Sequence, residues 1–151
     1  MRWRWQAPIP DTQYPIPVGY WVLKAHDVIT TGVDIVHVPR VIAALDRFGD
    51  RFIERVFTAR EVAAGHGYPH ELAARFAAKE AVAKALGVGM RVMSRDGVSF
   101  REVETLRDLR GKPVVVLSGR AAARAQELGL KEWAISLSHE REYAIAFVVA
   151  Q

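Results

Sequence analysis

The chain has no cysteine, which excludes disulfides and thiolate-bound metals. That fits a reducing, cytoplasmic setting. No apolar run approaches the roughly 20 residues of a membrane span, so no membrane association is expected. The N-terminus, MRWRWQAPIP, is basic, but no apolar stretch follows, so it does not read as a secretory signal. The phosphate-binding loops of nucleotide folds are missing as well. The segment GVGMRV has neither the third glycine of a dinucleotide fingerprint nor the Lys-Ser/Thr of a P-loop. His66 and His70 are four apart, but Gly67 and Pro69 interrupt any helix that would present them to zinc. Ser136, Ser138 and His139 lack the surroundings of a nucleophile elbow.

Half of the 151 residues are hydrophobic, enough for one domain with a real core. The net charge is +4, which favours anionic partners. Charge alone does not choose among nucleic acid, a phosphorylated small molecule, an acidic protein and a membrane surface. Aromatic residues are scarce among the arginines of 40–60, which argues against nucleic acid.

Four of the seven prolines fall in the first 17 residues and three of the four tryptophans in the first 21. Proline blocks regular hydrogen bonding, so residues 1–28 read as a Pro/Trp-rich arm and 29–151 as the domain. Within the domain, VITTGVDIVHV (28–38) is β-branched and apolar, hence a strand ended by Pro39. Residues 40–57 are helical with a Gly-Asp break. Thr58 and Glu61 open a short helix in a capping-box pattern. A long helix runs from about Glu71 to Leu86 and ends at Gly87. Strands follow at 98–106 and 113–117, a helix at 118–129, and strands at 133–139 and 142–150. This order predicts an α+β fold, a mainly antiparallel sheet packed against a long helix.

The helix RFAAKEAVAKALG (75–87) has alanine at five of thirteen positions. Glu80 and Lys84 share one face of it. A surface ion pair worth a few tenths of a kcal/mol is the plain reading. The sharper reading is that Ala73 and Ala77 leave open space beside them, with Lys79 on the flank, for a polyanion and a divalent ion. Asp34 sits inside an apolar strand, where an isolated carboxylate is costly without a partner or metal. An edge strand that turns Asp34 to water is the plain alternative. If strand and helix pack together, Asp34 and Glu80 supply the two carboxylates that magnesium commonly takes alongside phosphate oxygens. Manganese suits the same oxygen donors. His139 closes a strand, where functional side chains are common and backbone-bonded histidines are as well. Gly111-Lys112-Pro113 is a turn whose lysine could touch a phosphate. Arg40, Arg51 and Arg55 belong to a basic stripe, either a solvated face or a docking face for an acidic helix.

Four segments, GVDIVHVPRV, RFAAKEAVAKALGVG, RGKPVV and ISLSHEREYAIAFVV, together resemble holo-acyl-carrier-protein synthase, the small type of 4'-phosphopantetheinyl transferase. The resemblance runs from about Thr31 to Val149. It implies transfer of the 4'-phosphopantetheine arm of coenzyme A to a serine of apo acyl carrier protein, releasing adenosine 3',5'-bisphosphate. It matches Asp34 and Glu80 to magnesium ligands, and Lys84 and Lys79 to residues near the coenzyme A phosphates. It matches His139 and Lys112 to the coenzyme site, and Arg40, Arg51 and Arg55 to the face that receives the carrier. It implies a homotrimer. The Pro/Trp-rich arm is extra to the family pattern, and His37 stands where many members are acidic. A non-catalytic basic module that binds nucleic acid or an acidic protein is the competing expectation.

Overall fold

The computed structural model describes residues 28–91 and 96–151. The arm expected over 1–28 therefore lies, but for Val28, outside the described residues. The chain runs β1 (Thr30–His37), α1 (Val38–Phe48), α2 (Asp50–Val56), α3 (Ala59–Ala64), α4 (Pro69–Ala85), β2 (Val103–Arg107), β3 (Pro113–Leu117), α5 (Gly119–Glu127), β4 (Trp133–His139) and β5 (Tyr143–Ala150). Strands β1, β5 and β4 form one antiparallel sheet in that order, and β2 and β3 form a separate hairpin. The expected α+β class and antiparallel pairing are what the structure shows.

Among the boundaries that differ from the sequence reading, two have a clear local reason. Pro39 does more than end a strand, because it occupies the first turn of α1, where its fixed φ suits a helix and its missing N–H costs nothing. The strand expected from Val98 begins only at Val103. Between them, the Ser99 N–H donates to Glu102 Oε2 at 2.8 Å and closes a 3₁₀ turn over Phe100–Glu102. A side chain that satisfies nearby backbone competes with strand pairing.

Helix α4 is the centre of the molecule. It packs against β1 and β5 on one side and meets α1 and β2 on others. Surrounded in this way, it needs small side chains on nearly every face, and alanine supplies them at good helix propensity. Contact with β1 is backbone to backbone: a Cβ added at Gly32 would overlap the Ala81 carbonyl oxygen. The expectation that Ala73 and Ala77 leave open space is corrected here. Both are fully buried, and the room they make is filled by protein.

The sheet has two unlike faces. Gly32, Ala144, Ala146, Val148 and Ile135 face α4 and are buried. Val33, Ile35, Tyr143, Ile145 and Phe147 lie on the other face and are exposed. Val33 pairs with Phe147 and Ile35 with Ile145, so the exposed residues form one continuous patch.

Candidate active site

Asp34 lies on edge strand β1, between Gly32 and Val36 in the alternating row turned toward α4. Glu80 and Lys84 are one turn apart on α4. The close approach at Gly32 brings the two elements together. Lys84 Nζ donates to Asp34 Oδ1 at 2.9 Å and to the Val33 carbonyl oxygen at 2.8 Å. Lys84 remains about half exposed, with 52% of its side chain accessible. Burial pushes the Glu80 carboxyl above the usual range, and the Asp34 charge pushes it further, against a smaller opposing pull from Lys84. Two carboxylates thus share one site, with a single ammonium held on Asp34.

Asp34 and Glu80 open on a cavity of about 360 Å³ lined also by His37, Arg40, Phe52 and Phe76, among others; Lys84 stands outside its lining. One wall carries charge and the other is apolar. Oxygen donors in this number suit a hard divalent cation that keeps further positions for phosphate and water. Among the described residues no group of three or more His, Cys, Asp or Glu could hold a metal, so a cation here would rest on two protein carboxylates.

Lys79 is a correction. It was expected beside phosphates, yet its side chain is fully buried. Nζ donates to Glu61 Oε2 at 2.7 Å, to the Phe100 carbonyl oxygen at 2.9 Å and to that of Val103. Burial holds its pKa below the usual lysine range, with the Glu61 charge opposing. Adjacent helix residues point about 100° apart, so Lys79 faces inward where Glu80 faces the cavity. Glu61, read as half of a capping box, does cap α3. It also accepts from the Thr105 N–H at 3.1 Å, and with Lys79 it locks α3, α4 and β2 together.

The remaining candidates lie elsewhere on the chain. Arg40 lines the cavity. Arg51 and Arg55 are exposed on α2. His139 sits at the end of β4, its Nε2 3.7 Å from Glu71 Oε1 and its ring 5.9 Å from that of His70. Lys112 is exposed in the β2–β3 turn, its backbone N–H bound to Asp108 Oδ1 at 2.9 Å. Neither His139 nor Lys112 lines the cavity within this one chain.

Residues 30–148 match the 4'-phosphopantetheinyl transferase superfamily. The chain belongs to that superfamily. It is 54% identical over 103 residues to the holo-[acyl-carrier-protein] synthase of Roseiflexus castenholzii, covering 68% of this chain and 76% of that one. To the enzyme of the same name from Herpetosiphon aurantiacus it is 46% identical over 123 residues, covering 80% and 97%. The fold is similar to the Helicobacter pylori holo-[acyl-carrier-protein] synthase in complex with coenzyme A, at TM-score 0.71 and 29% identity, covering 80% and 99%. The Neisseria meningitidis synthase gives 0.70 and 36%, covering 81% and 97%.

In this transferase the sequence reading missed three groups. Phe76, one turn before Glu80, shares its helix face and walls the cavity, which the i, i+4 spacing could have revealed. Phe52 does the same from α2. Glu71 gathers cations: its Oε2 accepts from Arg75 at 2.7 Å and from Arg107 at 2.9 Å. Burial would raise that carboxyl, but Arg75 and Arg107 outweigh it and hold it below the usual range. The Glu71–Arg75 spacing was legible; the arrival of Arg107 from β2 was not.

Proposed function

We infer that the Asp34–Glu80 cavity is where this phosphopantetheinyl transferase carries out holo-acyl-carrier-protein synthesis. The carrier serine hydroxyl attacks the β-phosphorus of coenzyme A. The phosphopantetheine arm passes to that oxygen, and adenosine 3',5'-bisphosphate departs. Catalysis of this kind is positioning and charge neutralisation more than covalent chemistry. The observation that carries the reading is the pairing of Asp34 and Glu80 in one cavity with Lys84 between strand and helix.

Asp34 and Glu80 are the residues that would hold magnesium, and manganese fits the same donors. A cation held there would supply Lewis-acid neutralisation of phosphate charge. An ammonium donates three hydrogen bonds, and two of Lys84's are used within the protein. The third is left for a phosphate oxygen. Arg40, at the rim with Arg51 and Arg55 beyond it on α2, would receive the acidic carrier.

The same proposal includes a homotrimer in the cytoplasm. The continuous apolar patch on the outer sheet face supports self-association, since soluble chains rarely leave such patches open. In an assembly, His139 and Lys112 of one subunit would reach the coenzyme at a neighbour's cavity. Among the described residues no helix is long and apolar enough to cross a membrane.

The test is intact-mass spectrometry of an apo acyl carrier protein incubated with the chain, coenzyme A and magnesium. A gain of one phosphopantetheine group, abolished by EDTA, is the expected result. No gain with several carriers would overturn the reading.

A further inference from the structure

We propose that Tyr20-Trp21-Val22-Leu23, an apolar stretch of the Pro/Trp-rich arm, seats in a groove between α5, β3 and the start of β4 of its own chain. The groove measures about 310 Å³ and is lined chiefly by apolar side chains, among them Val115, Leu117, Ala125 and Trp133, with Gln126 and Lys131 as polar members. Its cause is local. Helix α5 turns Ala122 and Ala125 toward this space, and a methyl does not fill the gap to Leu117 and Trp133. An apolar hollow open to water gains by burying further apolar surface.

Three observations choose the occupant. The first is position. Thr30, where β1 begins, pairs with Ala150, and Ala150 pairs in turn with Trp133. Two interstrand steps of about 4.8 Å put the start of β1 roughly 10 Å from a wall of the groove. The side chain of Thr30 belongs with Gly32 and Asp34 to the row turned toward α4, and Trp133 shares that side with Ile135. The outer apolar patch lies on the opposite side. Leu23 precedes Thr30 by seven residues, a reach of up to about 23 Å. The second is composition. Residues 14–23, YPIPVGYWVL, hold no charge, and Trp21 brings a large apolar area to a groove that alanine leaves unfilled. The third is an unmet hydrogen bond. Thr30 Oγ1 is buried and has no partner among the described residues. A main chain folded back over this end of the sheet would supply one. Tethering also gives the segment a local concentration that a free partner lacks. Trp133 opens β4 and His139 closes it, roughly 20 Å away. Seated there, the arm clamps α5 to β4 and leaves His139 and the Asp34–Glu80 cavity uncovered.

The chain has no cysteine, so Gly19→Cys gives a single thiol two residues from Trp21. Benzophenone maleimide on that thiol, irradiated in the full chain and mapped by peptide mass spectrometry, is expected to mark residues 113–133. Adding Trp21→Ala should cut those adducts roughly tenfold, as loss of one buried aromatic does. In the cysteine-free chain, Trp21→Ala should speed hydrogen exchange of the Leu130, Lys131 and Glu132 amides, which bond to Ala125 and Gln151 beside the groove. The α4 amides should not move. Carrier modification should keep its kcat and KM within about twofold. Adducts on Val33 or Phe147, adducts joining a heavy-isotope copy to a light one, or none on the domain would each overturn the seat. So would a Trp21→Ala chain with unaltered exchange at those amides or with a changed carrier KM.

Discussion

Lys84 Nζ lies 2.9 Å from Asp34 Oδ1, joining residues 50 apart in the chain. In this arrangement the ammonium occupies part of the charge that a bound cation would offer Asp34. Removing it has opposite effects on binding and turnover. Lys84→Met is expected to bind magnesium two- to tenfold more tightly, by order of magnitude, since a competing cation is gone. Turnover should fall about 10- to 100-fold, because a donor to phosphate is lost. Calorimetry and carrier-modification rates measure the two signs. Parallel losses in both would contradict the arrangement.

Asp34→Ala and Glu80→Ala should each lower kcat/KM by at least about 100-fold. Excess magnesium should not restore either. A loss of only a fewfold would remove the metal-ligand assignment for that residue.

Glu80 makes stability depend on pH. Its carboxyl is raised in the folded state by burial and by Asp34. A raised carboxyl contributes stability that is fully present below the unfolded value and is lost as pH rises through the folded value. Without divalent ions, Glu80→Gln should therefore melt higher than the parent at pH 7. The difference should shrink toward pH 4. Melting curves at the two pH values decide it, and a variant that melts lower at pH 7 would contradict the shift.

Lys79→Ala is expected to destabilise the fold by about 3–5 kcal/mol, because it leaves the buried Glu61 carboxylate unpaired. Replacing both partners, Lys79→Met with Glu61→Leu, should recover much of that loss. Urea unfolding gives both values. A mild effect of Lys79→Ala on stability with a large rise in the coenzyme A KM would return Lys79 to the phosphate site.

Much of this was readable in the chain. The strands of the three-stranded sheet announce themselves by β-branched, alternating runs, and α4 by its spacing and its stop at Gly87. Asp34 drew notice because a carboxylate in VDIVHV needs a reason, and its meeting with Glu80 required only that the strand lie beside the helix. The orientation of Lys79 against Glu80 was hidden because alanine surrounds both. With no dominant apolar face, periodicity cannot say which side of α4 looks inward. The roles of Glu61 and Glu71 were half visible. Their local partners, Thr58 and Arg75, are three and four residues away, while Thr105 and Arg107 arrive from a hairpin more than 30 residues on. His139 and Lys112 reach no shared cavity in a single chain, and nothing in spacing reveals that.

The contact of Gly32 with the Ala81 carbonyl gives the site a fixed gauge. Two main chains pressed together have no rotamers to adjust, so the interval between Asp34 and Glu80 is machined into the backbone. Arginines along α1 and α2 can drift as carriers change, and the outer sheet face can be redrawn for new neighbours. The backbone interval that carries the two carboxylates cannot follow them, and a single methyl at position 32 would force it apart.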